Sequence, residues 1–135
     1  MSKTGVGGKR EDLGDIYFRS TWEANYARYL VFLSKHGKVV EWQYEPEIFR
    51  FPNVKRNPIS YTPDFKVTYA DGRVEWVEVK GFWDSGSRSK WKRMAKFYPE
   101  IRITVIGKEE YKAIAKWKAL IPGWEEPERE KREAK

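Results

Sequence analysis

The sequence contains no cysteine and a single histidine, His36. Without cysteine there is no disulfide, no thiolate metal site and no cysteine nucleophile. With one histidine, a serine-histidine triad or a multi-histidine zinc centre would have to be built around that residue alone, which sets both chemistries aside. His36 stands where a helix should end, and reads as a C-terminal residue favoured by the helix dipole. Glutamine is almost absent, occurring only at Gln43, while Lys, Arg and Glu dominate, a bias found in proteins from hot environments. No signal peptide and no run long enough to span a bilayer is visible, so an intracellular protein without a membrane partner is expected.

What the chain does have is positive charge: Lys and Arg number 27 against 20 Asp and Glu, a formal net charge of +7. That balance favours polyanions through counterion release and long-range steering, and makes nucleic acid the leading partner. At 135 residues the chain has room for one domain with a real core. Its aromatic residues all fall between Tyr17 and Trp124, and both ends are polar. The expected organisation is a flexible basic arm over 1–14, a folded domain over 15–124 and a charged tail over 125–135.

Within the domain, Trp22, Tyr26, Tyr29, Leu30 and Leu33 recur at helical spacing after Ser20, and Gly37 is placed to end that helix. Val39 to Pro46 alternates like a strand, and the proline-interrupted stretch from Phe49 to Ser60 reads as an edge strand or loop. Arg88 to Tyr98 reads as a basic helix with Trp91, Met94, Ala95 and Tyr98 inward. Ile101 to Gly107 reads as a strand buried on both faces, and Lys108 to Leu120 as a last amphipathic helix. The fold class is α/β, a mixed sheet flanked by helices in the order α-β-β-β-α-β-α.

The segment TPDFKVTYADGRVEWVEVKG, Thr62 to Gly81, reads as a hairpin. Alternation puts Phe65, Val67 and Tyr69 on one side of the first strand, leaving Asp64 and Lys66 on the other. Val77 and Val79 share a side of the second strand, leaving Glu78 and Lys80 opposite. A two-residue turn at Asp71-Gly72 would set Asp64 against Val79, acid against core. A three-residue loop, Ala70-Asp71-Gly72, with Gly72 in the left-handed position, pairs Tyr69 with Arg73 and stands Asp64 opposite Glu78. Because a one-residue slip would bury the carboxylates or expose the valines, the apolar pattern selects the longer loop. Two facing carboxylates repel unless a cation lies between them, and oxygen ligands without histidine or cysteine suit Mg²⁺, with Mn²⁺ as a substitute.

Pro63-Asp64 followed by Glu78-Val79-Lys80 resembles the signature of the PD-(D/E)XK nuclease superfamily, and the element order resembles the restriction-endonuclease-like core of that fold. The resemblance, which spans Phe18 to Leu120, implies a nuclease domain in which Glu23, Asp64, Glu78 and the backbone carbonyl of Val79 hold metal. Lys80 would orient the attacking water or help deprotonate it. Glu23 has a second reading, since Ser20-x-x-Glu23 is also a capping box in which the carboxylate closes back on the helix start. The helix-one glutamate of the resembled family favours the metal site.

Arg88, Lys90, Lys92, Arg93 and Lys96 on the basic helix, with Lys9 and Arg10 on the arm, form the expected DNA-contacting set. No base-reading module is visible, which favours recognition of DNA shape over sequence. A stand-alone catalytic domain of this size is similar to the phage endonuclease I and Holliday-junction resolvase members of the superfamily. That likeness implies a homodimer acting on branched DNA by paired nicks, in the cytoplasm of a bacterium or a phage-infected host. Trp83 and Trp124 are candidates for its dimer surface. The alternatives are a nicking or end-processing nuclease of the same fold, of transposon-end or mismatch type, and a non-catalytic basic nucleic-acid-binding module.

Overall fold

The structure is a computed structural model, and it describes residues 6–81 and 85–127. Its strands and helices are β1 (Gly8–Arg10), β2 (Ile16–Phe18), α1 (Thr21–Lys35), β3 (Val39–Tyr44), β4 (Phe49–Arg50), β5 (Ser60–Tyr61), β6 (Phe65–Tyr69), β7 (Val74–Val79), α2 (Ser85–Phe97), β8 (Ile103–Ile106) and α3 (Lys108–Ala115). The central sheet has the order β3-β6-β7-β8, antiparallel except for the parallel pair β7 and β8, which α2 connects. A mixed sheet flanked by three helices was the expected class. Among the described residues, no helix is long and apolar enough to cross a membrane.

The hairpin register is the one the apolar pattern selects. Phe65 pairs with Val77 and Val67 with Glu75. The Tyr69 N–H donates to Arg73 O at 2.8 Å and the Gly72 N–H to Tyr69 O at 2.9 Å, with Gly72 at φ +90°, a conformation that strains residues with a Cβ. Phe65, Val67, Val77 and Val79 then face α1 and α3, where Phe65 lies fully buried among Phe18, Tyr26, Trp42 and Tyr44. Trp76 and Ile103 face the other way, into a second cluster with Phe49, Phe51, Tyr61 and Met94, so α2 and the β4-β5 pair cover that side.

Four expectations change. The strand expected to be buried on both faces, β8, is the sheet's edge: only Ile106 of it is buried, because a helix covers each side but, among the described residues, no strand lies beyond. Ala95, expected to face inward on α2, is exposed. Over the part of the 1–14 arm that is described, Gly8–Arg10 forms a strand paired with Ile16–Phe18. The charged tail, too, begins as structure. Glu125 lies between two buried arginines, accepting from Arg10 Nε at 2.7 Å and Arg28 Nη1 at 2.7 Å, while its N–H donates to the fully buried Asn25 at 2.9 Å. Arg28 also grips Asp12 through Nε at 2.8 Å and Nη2 at 3.0 Å. Neighbouring Gly123 is confined to φ +85°, and a Cβ there would stand 2.6 Å from Asp12 Oδ2. This clasp ties the segment of Arg10 and Asp12 and the last described turn to the outer face of α1.

Candidate functional site

At the end of the sheet opposite the Asp71-Gly72 turn, the start of β6 meets the end of β7. Asp64 precedes β6 and is only 2% exposed. Its Oδ2 accepts the Val79 N–H at 2.7 Å, so the carboxylate caps a backbone donor lying past the last ladder pair. Glu78, on the adjoining strand, accepts from the Tyr61 hydroxyl at 2.7 Å, and Lys90 Nζ of α2 stands 3.7 Å from its other oxygen. Lys80 follows β7, placed by its N–H bond to Ile106 O of β8 at 3.0 Å. Arg19, Glu23, Asp64, Glu78, Val79, Lys80 and Lys90 line one pocket of about 450 Å³.

Glu23 reaches this pocket from the first turn of α1. The capping box forms only in half: the Glu23 N–H donates to Ser20 Oγ at 3.1 Å, but its carboxylate does not close back on the Ser20 N–H. The carboxylate instead accepts from the Arg19 N–H at 3.3 Å and from the Tyr44 hydroxyl. Held between these donors, it remains on the pocket wall.

Bringing acids together at the end of the sheet has an electrostatic cost. Burial pushes the Asp64 carboxyl well above the usual carboxylate range, and the charges of Glu78 and Glu23 push it further, against the Val79 N–H and Arg19. Burial likewise raises Glu23, opposed by Tyr44 and Arg19. The Tyr61 hydroxyl is driven up by burial and then by the charge of Glu78, so it stays a donor to that carboxylate. With the side chains as they lie, no group of three or more acidic or histidine side chains among the described residues is arranged to hold an ion. The donor set itself is all oxygen, which fits a hard divalent cation such as Mg²⁺.

The chain matches the family described as "Protein of unknown function (DUF1064)" over residues 3–113. It belongs to that family. The matched stretch includes Glu23, Asp64, Glu78 and Lys80. Among curated proteins, none matches the chain.

The basic residues expected to contact DNA divide into groups. Lys9, Arg88, Lys92 and Lys96 are exposed. Lys90 is drawn into the pocket beside Glu78. Arg93 pins the 52–59 loop, donating to the carbonyls of Arg56 at 2.8 Å and Pro58 at 2.5 Å. Arg10 is a correction: it is 8% exposed and bound to Glu125, because the arm folds back as β1 and carries it inward, away from a nucleic-acid surface. Trp124 is half-buried against Tyr111 rather than displayed for a dimer, while Trp83 lies outside the described residues. His36 Nδ1 lies 2.9 Å from Phe32 O at the end of α1, the expected terminal position.

Sequence reasoning missed Arg19, Glu45 and Tyr61. Arg19 Nη2 lies 2.6 Å from Glu45 Oε2 and 3.1 Å from Asp64 Oδ1. Adjacency was the available signal, since Arg19 immediately precedes the cap of the helix that carries Glu23 and Tyr61 lies two residues before Pro63-Asp64.

Proposed function

We propose that the chain is a Mg²⁺-dependent endodeoxyribonuclease with a restriction-endonuclease-like core of the PD-(D/E)XK type. The observation that carries this reading is the pocket lined by Glu23, Asp64, Glu78 and Lys80, three acids and a lysine drawn from a helix and from the adjoining ends of two paired strands. Glu23, Asp64, Glu78 and the Val79 carbonyl would hold the cation, Mg²⁺ or Mn²⁺ in its place. When bound, that ion supplies polarisation of the phosphate and a lowered pKa for water.

The chain's own groups do the rest. Tyr61 orients Glu78 by donating to one of its oxygens, and the Val79 N–H fixes Asp64 through Oδ2. Lys80, on the same side of β7 as Glu78, orients the attacking water and balances negative charge as it builds on the phosphate oxygens. The exposed Arg88, Lys92 and Lys96 of α2 lie on the helix that brings Lys90 to the pocket, suited to the backbone phosphates flanking the cut.

Phosphate contacts without a base reader favour DNA structure over sequence, and a single site cuts one strand at a time. Symmetric resolution of a four-way junction therefore calls for two copies about a two-fold axis. The test is the purified protein with Mg²⁺ on a four-way junction, a linear duplex and a single strand in parallel, with mass by light scattering. A dimer making paired nicks in the junction is expected. A monomer cutting duplex equally well would remove the junction assignment, and no cleavage of any substrate with Mg²⁺ or Mn²⁺ would remove the nuclease assignment.

A further inference from the structure

The acids around the pocket do not face one another unscreened. Arg19 touches three of them: its main-chain N–H donates to Glu23 at 3.3 Å, and its guanidinium Nη2 lies 2.6 Å from Glu45 and 3.1 Å from Asp64. We propose that Arg19 is the resident counter-ion of the site, occupying the Asp64 oxygen that a divalent cation would take and yielding it when the cation binds. The inference rests on the metal-dependent reading above and goes beyond it, to how the site is kept before the ion arrives.

The geometry favours one oxygen of Asp64. Oδ2 of Asp64 is committed to the Val79 N–H at 2.7 Å, a bond fixed by the meeting of β6 and β7, so Oδ1 is the atom open to exchange, and Oδ1 is where Arg19 sits. The partners differ in freedom. Asp64 is 2% exposed and cannot move without the sheet, whereas the Arg19 side chain is 59% exposed and can rotate away by its own torsions. Its backbone need not follow, because the N–H bond to Glu23 anchors it ahead of α1. Glu45 gives the displaced guanidinium a partner to stay with, and is itself held by its N–H bond to the Asp64 carbonyl at 2.8 Å.

A guanidinium suits this role because it remains charged throughout the working pH range, so acids assembled for an ion are neutralised whether or not the ion is present. Burial alone would weaken that charge, but Glu23, Glu45 and Asp64 more than reverse the effect. The consequence is a competition: cation affinity is set by the ion's attraction for Asp64 less that of Arg19. A residue that merely supported the fold would behave oppositely, since its removal would loosen the site and weaken the ion.

The experiment is isothermal titration of MgCl₂ and of MnCl₂ into the full chain, wild type, Arg19→Gln and Arg19→Lys. Arg19→Gln is expected to bind each cation about tenfold tighter, a modest figure because the guanidinium is more than half exposed and screened. Arg19→Lys, which keeps the charge, should stay within about threefold of wild type. A variant-free measurement accompanies these: the Arg19 Nε–H resonance of the wild type should move on saturation with Mg²⁺ while that of Arg28 does not. Equal or weaker binding by Arg19→Gln, or an Arg19 resonance unmoved at saturation, overturns the counter-ion assignment alone. Absence of cation binding by all three proteins overturns the metal-dependent reading, and this assignment with it.

Discussion

Replacing Asp64 by asparagine should make the protein inactive and, without divalent cation, more stable. The introduced amide would keep one important bond, because its carbonyl oxygen can still accept the Val79 N–H that Asp64 accepts at 2.7 Å. It would give up the contact from Arg19 at 3.1 Å, whose partner is largely solvated and whose loss costs about 1 kcal/mol or less. Against this, a nearly fully buried charge next to Glu78 and Glu23 disappears, relieving a desolvation and repulsion penalty of about 2–3 kcal/mol. The net gain is about 1–2 kcal/mol, within the range typical of relieved active-site strain. For a chain of this length that corresponds to roughly 3–8 °C in Tm.

The gain should depend on pH in a definite direction. Because Asp64 is raised in the folded state, folded protein retains a proton that the unfolded chain gives up near pH 4, so the wild type loses stability as pH rises from there through the folded value. The Asp64→Asn protein lacks this loss, and the Tm gap should widen from acid to neutral pH. Scanning calorimetry in chelator-treated buffer across that range, beside a cleavage assay with Mg²⁺, reads both effects. A variant melting below wild type at neutral pH would refute the electrostatic reasoning, and retained cleavage would refute the role of Asp64.

Glu78→Gln should likewise abolish cleavage while preserving DNA affinity in a gel-shift assay, because it removes a negative charge near phosphate; weakened binding would count against it. Glu125→Ala should destabilise by about 3 kcal/mol in urea unfolding, since it takes the acid from the buried charge of Arg10 and leaves Arg28 with Asp12 alone, and a change under about 1 kcal/mol would show the clasp to be idle. Asp12 and Glu125 are both held below the usual range by their arginines, so the stability they contribute is present above that range and lost as pH falls through their folded values. An Asp12→Asn, Glu125→Gln double variant should accordingly show a shallower acid limb in its Tm profile. Lys92→Gln and Lys96→Gln should each reduce the slope of log Kd against log salt by about one, with kcat unaltered.

The hairpin was legible because a period of two leaves little freedom: one register alone buries Val67 and Val77 while keeping Asp64 and Glu78 off the core face. The same logic placed Glu23 on the first turn of α1 but could not say where its carboxylate points, which Tyr44 and the Arg19 N–H decide. Arg19 was not legible because it precedes a helix cap outside any periodic run, and Tyr61 because the break between β5 and β6 interrupts the alternation that would have placed it on the side of Phe65. An apolar strand at a sheet edge, covered by a helix on each side, has the same composition as one between two strands, so β8 was misplaced. Glu125 sits in a run of charges that reads as solvated, and its partners lie 115 and 97 residues away, a distance at which sequence pattern carries no contact information.

That separation also orders events during synthesis. The helix carrying Glu23 emerges early, yet its outward face presents Asn25 and Arg28, buried polar groups whose partners include Glu125, more than ninety residues later. Until that residue has cleared the ribosome, the outer side of α1 is only half satisfied, Arg28 having Asp12 and Asn25 but not Glu125, and the strand that delivers Arg10 lacks the acid it closes on. The first described strand is therefore fastened by nearly the last described residue, and the pocket acquires its settled helix only after both of the strands that carry its acids exist.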